Sequence, residues 1–265
     1  MKLFISADIE GTTGITLWDE TQNGHARYPY FQKQMTREVA AACRGALDAG
    51  CGEILIKDAH DSACNLIPTL LPEEIRLFRG WGSEIMSMMA GLEEGYDGVF
   101  FTGYHSGAGM NTNPLSHTMN TRNNYVKING IIAPELMINS LSAAYLGVPV
   151  RLVTGDKGLC DWMKEIQPNV ETVAVSEGRG RGSISIHPNR ALRLIREAAC
   201  RAMKKPAEEC RFPLPDHFKV EISFKEHFRA RNANAYPGVA QTGPATVAYE
   251  ADDWMDVLRM LDFVL

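Results

Sequence analysis

Asp8 and Glu10 close the apolar and small-residue run that opens the chain, Met1-Lys2-Leu3-Phe4-Ile5-Ser6-Ala7. A run of this kind reads as a strand buried on both faces. Alternate residues of a strand point to one side, so the two carboxylates are expected to project together, about 6–7 Å apart at the backbone. Two like charges at the end of a buried strand are costly unless a cation lies between them. Two further apolar runs stop in the same manner. Glu53-Ile54-Leu55-Ile56-Lys57-Asp58 stops at Ala59-His60-Asp61, and Tyr96 to Gly103 runs into Tyr104-His105. Carboxylates joined by imidazoles suit Zn²⁺, with Mn²⁺ and Co²⁺ as alternatives. The chain has no CxxC pair, so an open, hydrolytic metal site is expected rather than a closed thiolate one. Asp58 and Asp61 flank His60 and could support an imidazole or simply face water.

Two other residues have the right chemistry in less telling places. Glu135 follows Pro134 where a helix should start, and an acid there is stabilised by the helix dipole without any ligand role. His117 lies in the polar stretch Ser116-His117-Thr118-Met119, after the small, glycine-containing loop that begins at Ser106.

The elements that must position these residues follow a βαβ order. After the glycine- and threonine-containing loop 11–24, Phe31, Met35, Val39 and Cys43 recur at four-residue spacing, which predicts a helix over Tyr30 to Ala49. Strand, helix and strand in that order imply a parallel pair. Residues 64–80 are broken by Pro68 and Pro72 and assign poorly. Further strands are expected at 125–129, 149–154 and 170–176, with helices at 131–147 and 157–166. Gly178-Arg179-Gly180-Arg181-Gly182-Ser183 is a composition break and reads as an interdomain loop. Beyond it come a helix (189–204), strands (219–224 and 245–249) and a last helix (252–263). The expected fold is α/β, a mostly parallel, Rossmann-like sheet flanked by helices over 1–180, with a smaller α+β domain over 181–265. Ligands of such sheets bind outside the carboxyl ends of the strands, where Asp8, Glu10, His60 and His105 all fall.

The 265 residues carry a net charge of -5, which argues against nucleic acid or a membrane surface as partner. No apolar run approaches the ~20 residues of a membrane span. The opening run ends in acids and does not read as a signal peptide, so a cytoplasmic protein is expected. The six scattered cysteines are expected to be reduced and partly buried. Trp81, Met86, Met88 and Met89 are expected in the core or at a subunit interface.

Taken together, Ser6-Ala7-Asp8-Ile9-Glu10-Gly11, Asp58-Ala59-His60, Gly103-Tyr104-His105, Ser116-His117-Thr118-Met119 and Pro134-Glu135-Leu136 resemble the motif set of the DppA-type zinc D-aminopeptidases, peptidase family M55. The resemblance extends over nearly the whole chain, including Val153-Thr154-Gly155-Asp156. It implies two zinc ions per subunit, with Asp8 bridging them, Glu10 and His105 on one, and His60 and Glu135 on the other. It places His117 as the catalytic residue, described in the family as a nucleophile. It also implies a homo-oligomer, a decamer of stacked rings, and short peptides with a free N-terminus as substrates, D-Ala-D-Ala-like ones among them. Two other readings use the same residues or size: a metal-dependent amidase or phosphoesterase with these ligands, and a small-peptide binding protein of a transport system.

Overall fold

Strand β1 (Lys2–Ala7) lies near the middle of a seven-stranded sheet and is buried along its length. Its residues alternate between two cores. Leu3, Ile5 and Ala7 face one, while Phe4 faces the other. Each such side chain contributes about 1.5–3 kcal/mol by leaving water, so the strand has no register to slip into. The computed structural model describes residues 1–265.

The first sheet also contains β2 (Glu53–Asp58), β3 (Ile75–Phe78), β4 (Gly98–Tyr104), β7 (Val150–Asp156), β8 (Glu171–Arg179) and β9 (Gly182–Ser185). Their order is β3-β2-β1-β4-β7-β8-β9, parallel throughout except for the last pair. Chain order reverses between β1 and β4, so the crevice that open α/β sheets use for ligands opens above those two strands. Helices α1 (Tyr28–Asp48) and α4 (Pro188–Lys204) pack together on one face. The other face carries α2 (Glu135–Tyr145), α3 (Lys157–Ile166) and the second sheet.

That second sheet is antiparallel, ordered β11-β12-β10-β5-β6. It joins β10 (Phe218–Phe224), β11 (Ala240–Gly243) and β12 (Thr246–Ala251) to β5 (Asn123–Ile128) and β6 (Ile131–Ile132), with α5 (His227–Ala233) and α6 (Trp254–Val264) beside it. Sheet membership therefore does not divide at residue 180. β5 and β6 leave the first half of the chain to pair with the second, and β9 and α4 return to the first sheet.

The glycine- and arginine-containing stretch expected as an interdomain loop is the turn of the β8–β9 hairpin, with Arg179 paired to Gly182. Residues 64–80 hold a single 3₁₀ turn at Pro68–Leu70 and the half-buried edge strand β3. The helix expected from residue 131 starts at Glu135. Ala133 N–H is spent on Val126 O in the sheet, and Pro134 is extended with ψ 166°. All six cysteines are free, four of them buried. No helix is long and apolar enough to cross a membrane.

Candidate metal centre

Strand β1 ends at Ala7; Asp8 follows directly, its N–H still donating to Thr102 O, and Glu10 sits in the turn beyond rather than on the strand as expected. Thr12 N–H closes that turn on Ile9 O, and Gly11 N–H donates to Gly103 O on β4. A Cβ on Gly11 would lie 1.8 Å from Tyr104 O, and one on Gly103, whose φ is +68°, would lie 2.2 Å from Asp8 O. Only glycine allows the two strand ends to approach this closely, and the approach brings Asp8 against His105.

Asp8, Glu10, His105 and Glu135 are all at most 4% exposed. Asp8 Oδ1 lies 3.4 Å from His60 Nδ1, and Asp8 Oδ2 lies 3.4 Å from His105 Nε2. Glu10 Oε2 is 3.2 Å from His60 Nδ1, and Glu135 Oε2 is 3.6 Å from His105 Nε2. Of the two glutamates, Glu10 thus lies by His60 and Glu135 by His105, whereas the resemblance pairs them crosswise. Asp8, Glu10 and His105 also offer ligand atoms within 4.8 Å of one another.

The other nitrogen of each histidine is held by a backbone carbonyl, which fixes the tautomer. His60 Nε2–H donates to Thr21 O (2.8 Å), and His105 Nδ1–H donates to Ser106 O (2.9 Å). His117 Nδ1–H donates to Leu115 O (2.8 Å), leaving Nε2 3.6 Å from Glu135 Oε1. Every lone pair is thereby turned inward. Neither flanking acid touches the His60 ring. Asp58 instead accepts from the backbone N–H groups of Asn65 and Leu66, and Asp61 supplies the carbonyl for Trp81 Nε1.

These donors fit a cation. Asp8 Oδ2, Glu10 Oε2 and His105 Nε2 are buried without a hydrogen-bond partner, a state that costs free energy unless something else satisfies them. Two ligand atoms each about 2.0–2.1 Å from one tetrahedral Zn²⁺ are about 3.3 Å apart, close to the spacings found. The electrostatics agree. Burial and the neighbouring Glu10 raise Asp8 to about 7. Burial would raise Glu10 and Glu135 too, but His60 holds Glu10 well below its usual value and His105 keeps Glu135 below its own. Both histidines rise well above theirs, the charges of Glu10 and Glu135 outweighing burial. Protons on two imidazoles here occupy the place where positive charge is wanted.

A cleft of about 450 Å³ opens over these groups, lined also by Trp18, Thr21, Trp81 and Met119. Residue type and spacing had assigned none of these four a place at the site. Trp18 stands edge-on to His117, ring centroids 5.2 Å apart. Trp81, expected in the core or at an interface, is 45% exposed at the cleft, while Met88 and Met89 are buried. Lys57 Nζ lies 4.3 Å from the Trp81 ring and 4.5 Å from that of Phe78, a cation–π arrangement that steadies the tryptophan.

The family model for Peptidase_M55, D-aminopeptidase, matches residues 1–263. A D-aminopeptidase of Bacillus subtilis (strain 168) is 31% identical over 263 residues, 98% of this chain and 95% of that protein. The solved structure of the Zn-dependent D-aminopeptidase DppA from Bacillus subtilis, described as a self-compartmentalizing protease, is similar with a TM-score of 0.91. It is 30% identical and matched over 100% of this chain and 98% of that one. With the family model matched over nearly its full length, the chain belongs to the peptidase M55 family of D-aminopeptidases.

Proposed function

We propose that the protein is a zinc-dependent aminopeptidase that releases the N-terminal residue of short peptides, D-amino-acid peptides of the D-Ala-D-Ala type among them. The observation that carries this reading is a cluster of ligand atoms spaced 3.2–3.6 Å across Asp8, Glu10, His60, His105 and Glu135, of which Asp8 Oδ2, Glu10 Oε2 and His105 Nε2 are buried without a hydrogen-bond partner. In this reading these five would hold two zinc ions, and Asp8, whose two oxygens face different histidines, would serve both. Zinc bound there would polarise the scissile carbonyl and make water a nucleophile at neutral pH.

The chain's own residues supply the rest. His117 Nε2 faces the cleft with its lone pair free, since Nδ1–H is committed to Leu115 O. Burial and the adjacent His105 hold its pKa below the ordinary value, so it is neutral near pH 7 and able to take a proton from water and return it to the leaving amine. Trp18 and Trp81 wall the cleft beside the reacting groups. A cleft of about 450 Å³ suits a peptide of a few residues rather than a folded chain.

The structural relative is self-compartmentalizing. We take this protein to assemble with copies of itself as well, which its exposed Phe228 and Phe263 favour.

The decisive experiment joins metal analysis of the purified protein to amino-acid release from D-Ala-D-Ala and L-Ala-L-Ala. Bound zinc with faster release from the D-peptide is the expected result. Absence of zinc together with no cleavage of any free-amine peptide would overturn the reading.

A further inference from the structure

A second, smaller cavity of about 190 Å³ adjoins the metal cleft, and its wall is mostly apolar: Ile85, Met86, Met119, Ile138, Leu258 and Leu261. Ser87, Met119 and Asn120 line both spaces. Met119 stands between them with φ +62°, and its N–H donates to Glu135 Oε1 at 2.7 Å. A left-handed backbone is uncommon for a residue with a long side chain and gathers at functional sites. Asn120 N–H closes this turn on Thr118 O (2.7 Å), and the Met119 N–H bond ties the turn to a carboxylate of the metal centre. Helix α2 contributes to both spaces as well, with Glu135 in its first turn and Ile138 and Asn139 one turn further on. Asn139 is 3% exposed, and its amide hydrogens are taken by Tyr104 Oη (2.9 Å) and Met88 Sδ (3.3 Å). Asn120 and Arg122, also in the lining, donate to Leu265 O, so with Ser87 and Asp262 as the remaining polar groups the wall offers a ligand mainly apolar contact.

Size narrows the occupant. A dry apolar cavity of about 150 Å³ takes a benzene-sized group. The space beside Met119 thus holds one medium side chain and has no room for a second peptide unit. We propose that it is a side-chain subsite, selecting peptides with a leucine-sized apolar residue next to the scissile bond over those with alanine at that position. The proposal rests on the reading of the protein as a peptide hydrolase, and it names the substrate class that the metal ligands alone do not choose.

The test uses the zinc-loaded full chain with D-Ala-D-Ala, D-Leu-D-Ala, D-Ala-D-Leu and the three L-counterparts. Both kcat/KM and the calorimetric affinity are measured for each. Leucine at one of the two positions should raise kcat/KM about tenfold or more over alanine and tighten binding in step. Met86→Trp, which fills the cavity, should bring the leucine-to-alanine ratio towards one. Leu261→Ala, which enlarges it, should move the preference towards phenylalanine when D-Phe-D-Ala and D-Ala-D-Phe are added to the set. Equal constants for leucine and alanine peptides, or a ratio unchanged in both variants, would overturn the subsite. Affinity that ranks leucine first without any cleavage would keep the subsite and remove the hydrolase reading instead.

Discussion

The imidazole rings of His105 and His117 are stacked, their centroids 4.3 Å apart and their planes 7° from parallel. The stack sets a positive or metal-bound ring against the residue proposed to accept a proton. It also leaves two roles for His117, because His105, His117 and Glu135 bring ligand atoms within 4.8 Å of one another. His117→Ala separates the roles. As a proton-transfer residue its loss should cost about 10²–10⁴ in kcat while zinc content holds. If zinc were lost with turnover, His117 would be a ligand.

The same stack predicts the acid limb of the pH profile. Burial first, then the positive His105 alongside, lowers His117 below its ordinary value of 6.5. A bound cation on His105 acts in the same direction. The neutral, proton-accepting form prevails above that lowered pKa, so the acid limb of kcat/KM should be centred below pH 6.5. A limb centred above 6.5 would show that another group limits the rate.

Asp8 and Glu10 should differ in consequence. Both oxygens of Asp8 lie 3.4 Å from a histidine, one each, whereas Glu10 comes this close to one histidine, with Oε2 3.2 Å from His60. Asp8→Ala should empty the site of metal, and Glu10→Gln should leave part of it bound, as read by metal analysis after dialysis. Equal loss in the two variants would remove the distinction between a shared and a single ligand. Chelation of the unaltered protein should both abolish turnover and lower Tm, since metal that binds only the folded chain stabilises it.

How much of this was legible follows from what each contact is made of. β1, β2 and β4 are apolar runs that stop abruptly at acids or histidines, so their carboxyl ends, and with them Asp8, Glu10, His60 and His105, could be placed before any coordinates. Glu135 and His117 could not be placed by spacing. An acid in a first helical turn is common, and His117 reaches Glu135 only through the long-range fold; for these two the family resemblance supplied the expectation. The carbonyls of Thr21, Ser106 and Leu115 that set the imidazole tautomers are backbone atoms, which no residue type announces. β3 and β9 escaped for another reason. Both are four-residue edge strands, only partly buried, and so lack the apolar run that marked β1. The excursion of β5 and β6 into the second sheet is a pairing between segments about 95 residues apart, beyond the reach of local pattern.

Asp156 should matter to the metal without touching it. Its carboxylate accepts from Ser106 N–H (2.7 Å), Ser106 Oγ–H (2.6 Å), Asn113 Nδ2–H (3.2 Å) and Leu159 N–H (3.0 Å). Ser106 in turn supplies the carbonyl that holds His105 Nδ1. Asp156→Asn turns one acceptor into a donor among four donors and loosens that carbonyl. Zinc affinity should weaken about 10–100-fold, and stability to denaturant should fall by about 3 kcal/mol. A stable variant with unchanged zinc affinity would show that His105 orients itself.

Glu38 gives a stability test away from the ligands. It is 1% exposed on α1; Oε1 accepts from Thr13 N–H (3.1 Å) and Gln34 Nε2–H (2.8 Å), while Oε2 has no partner. Burial raises its pKa above 4.5, those hydrogen bonds only partly opposing it. The folded chain therefore keeps this proton to higher pH than the unfolded chain does. Its ionisation costs nothing at low pH and an increasing amount as pH climbs past 4.5 towards the raised folded value. Glu38→Gln carries no charge at any pH and retains an oxygen for Thr13 and Gln34. The Tm of this variant minus that of the parent should accordingly grow between pH 4.5 and 8 in thermal melts. A difference that stayed flat across that range would mean that Glu38 ionises as freely inside the fold as outside it.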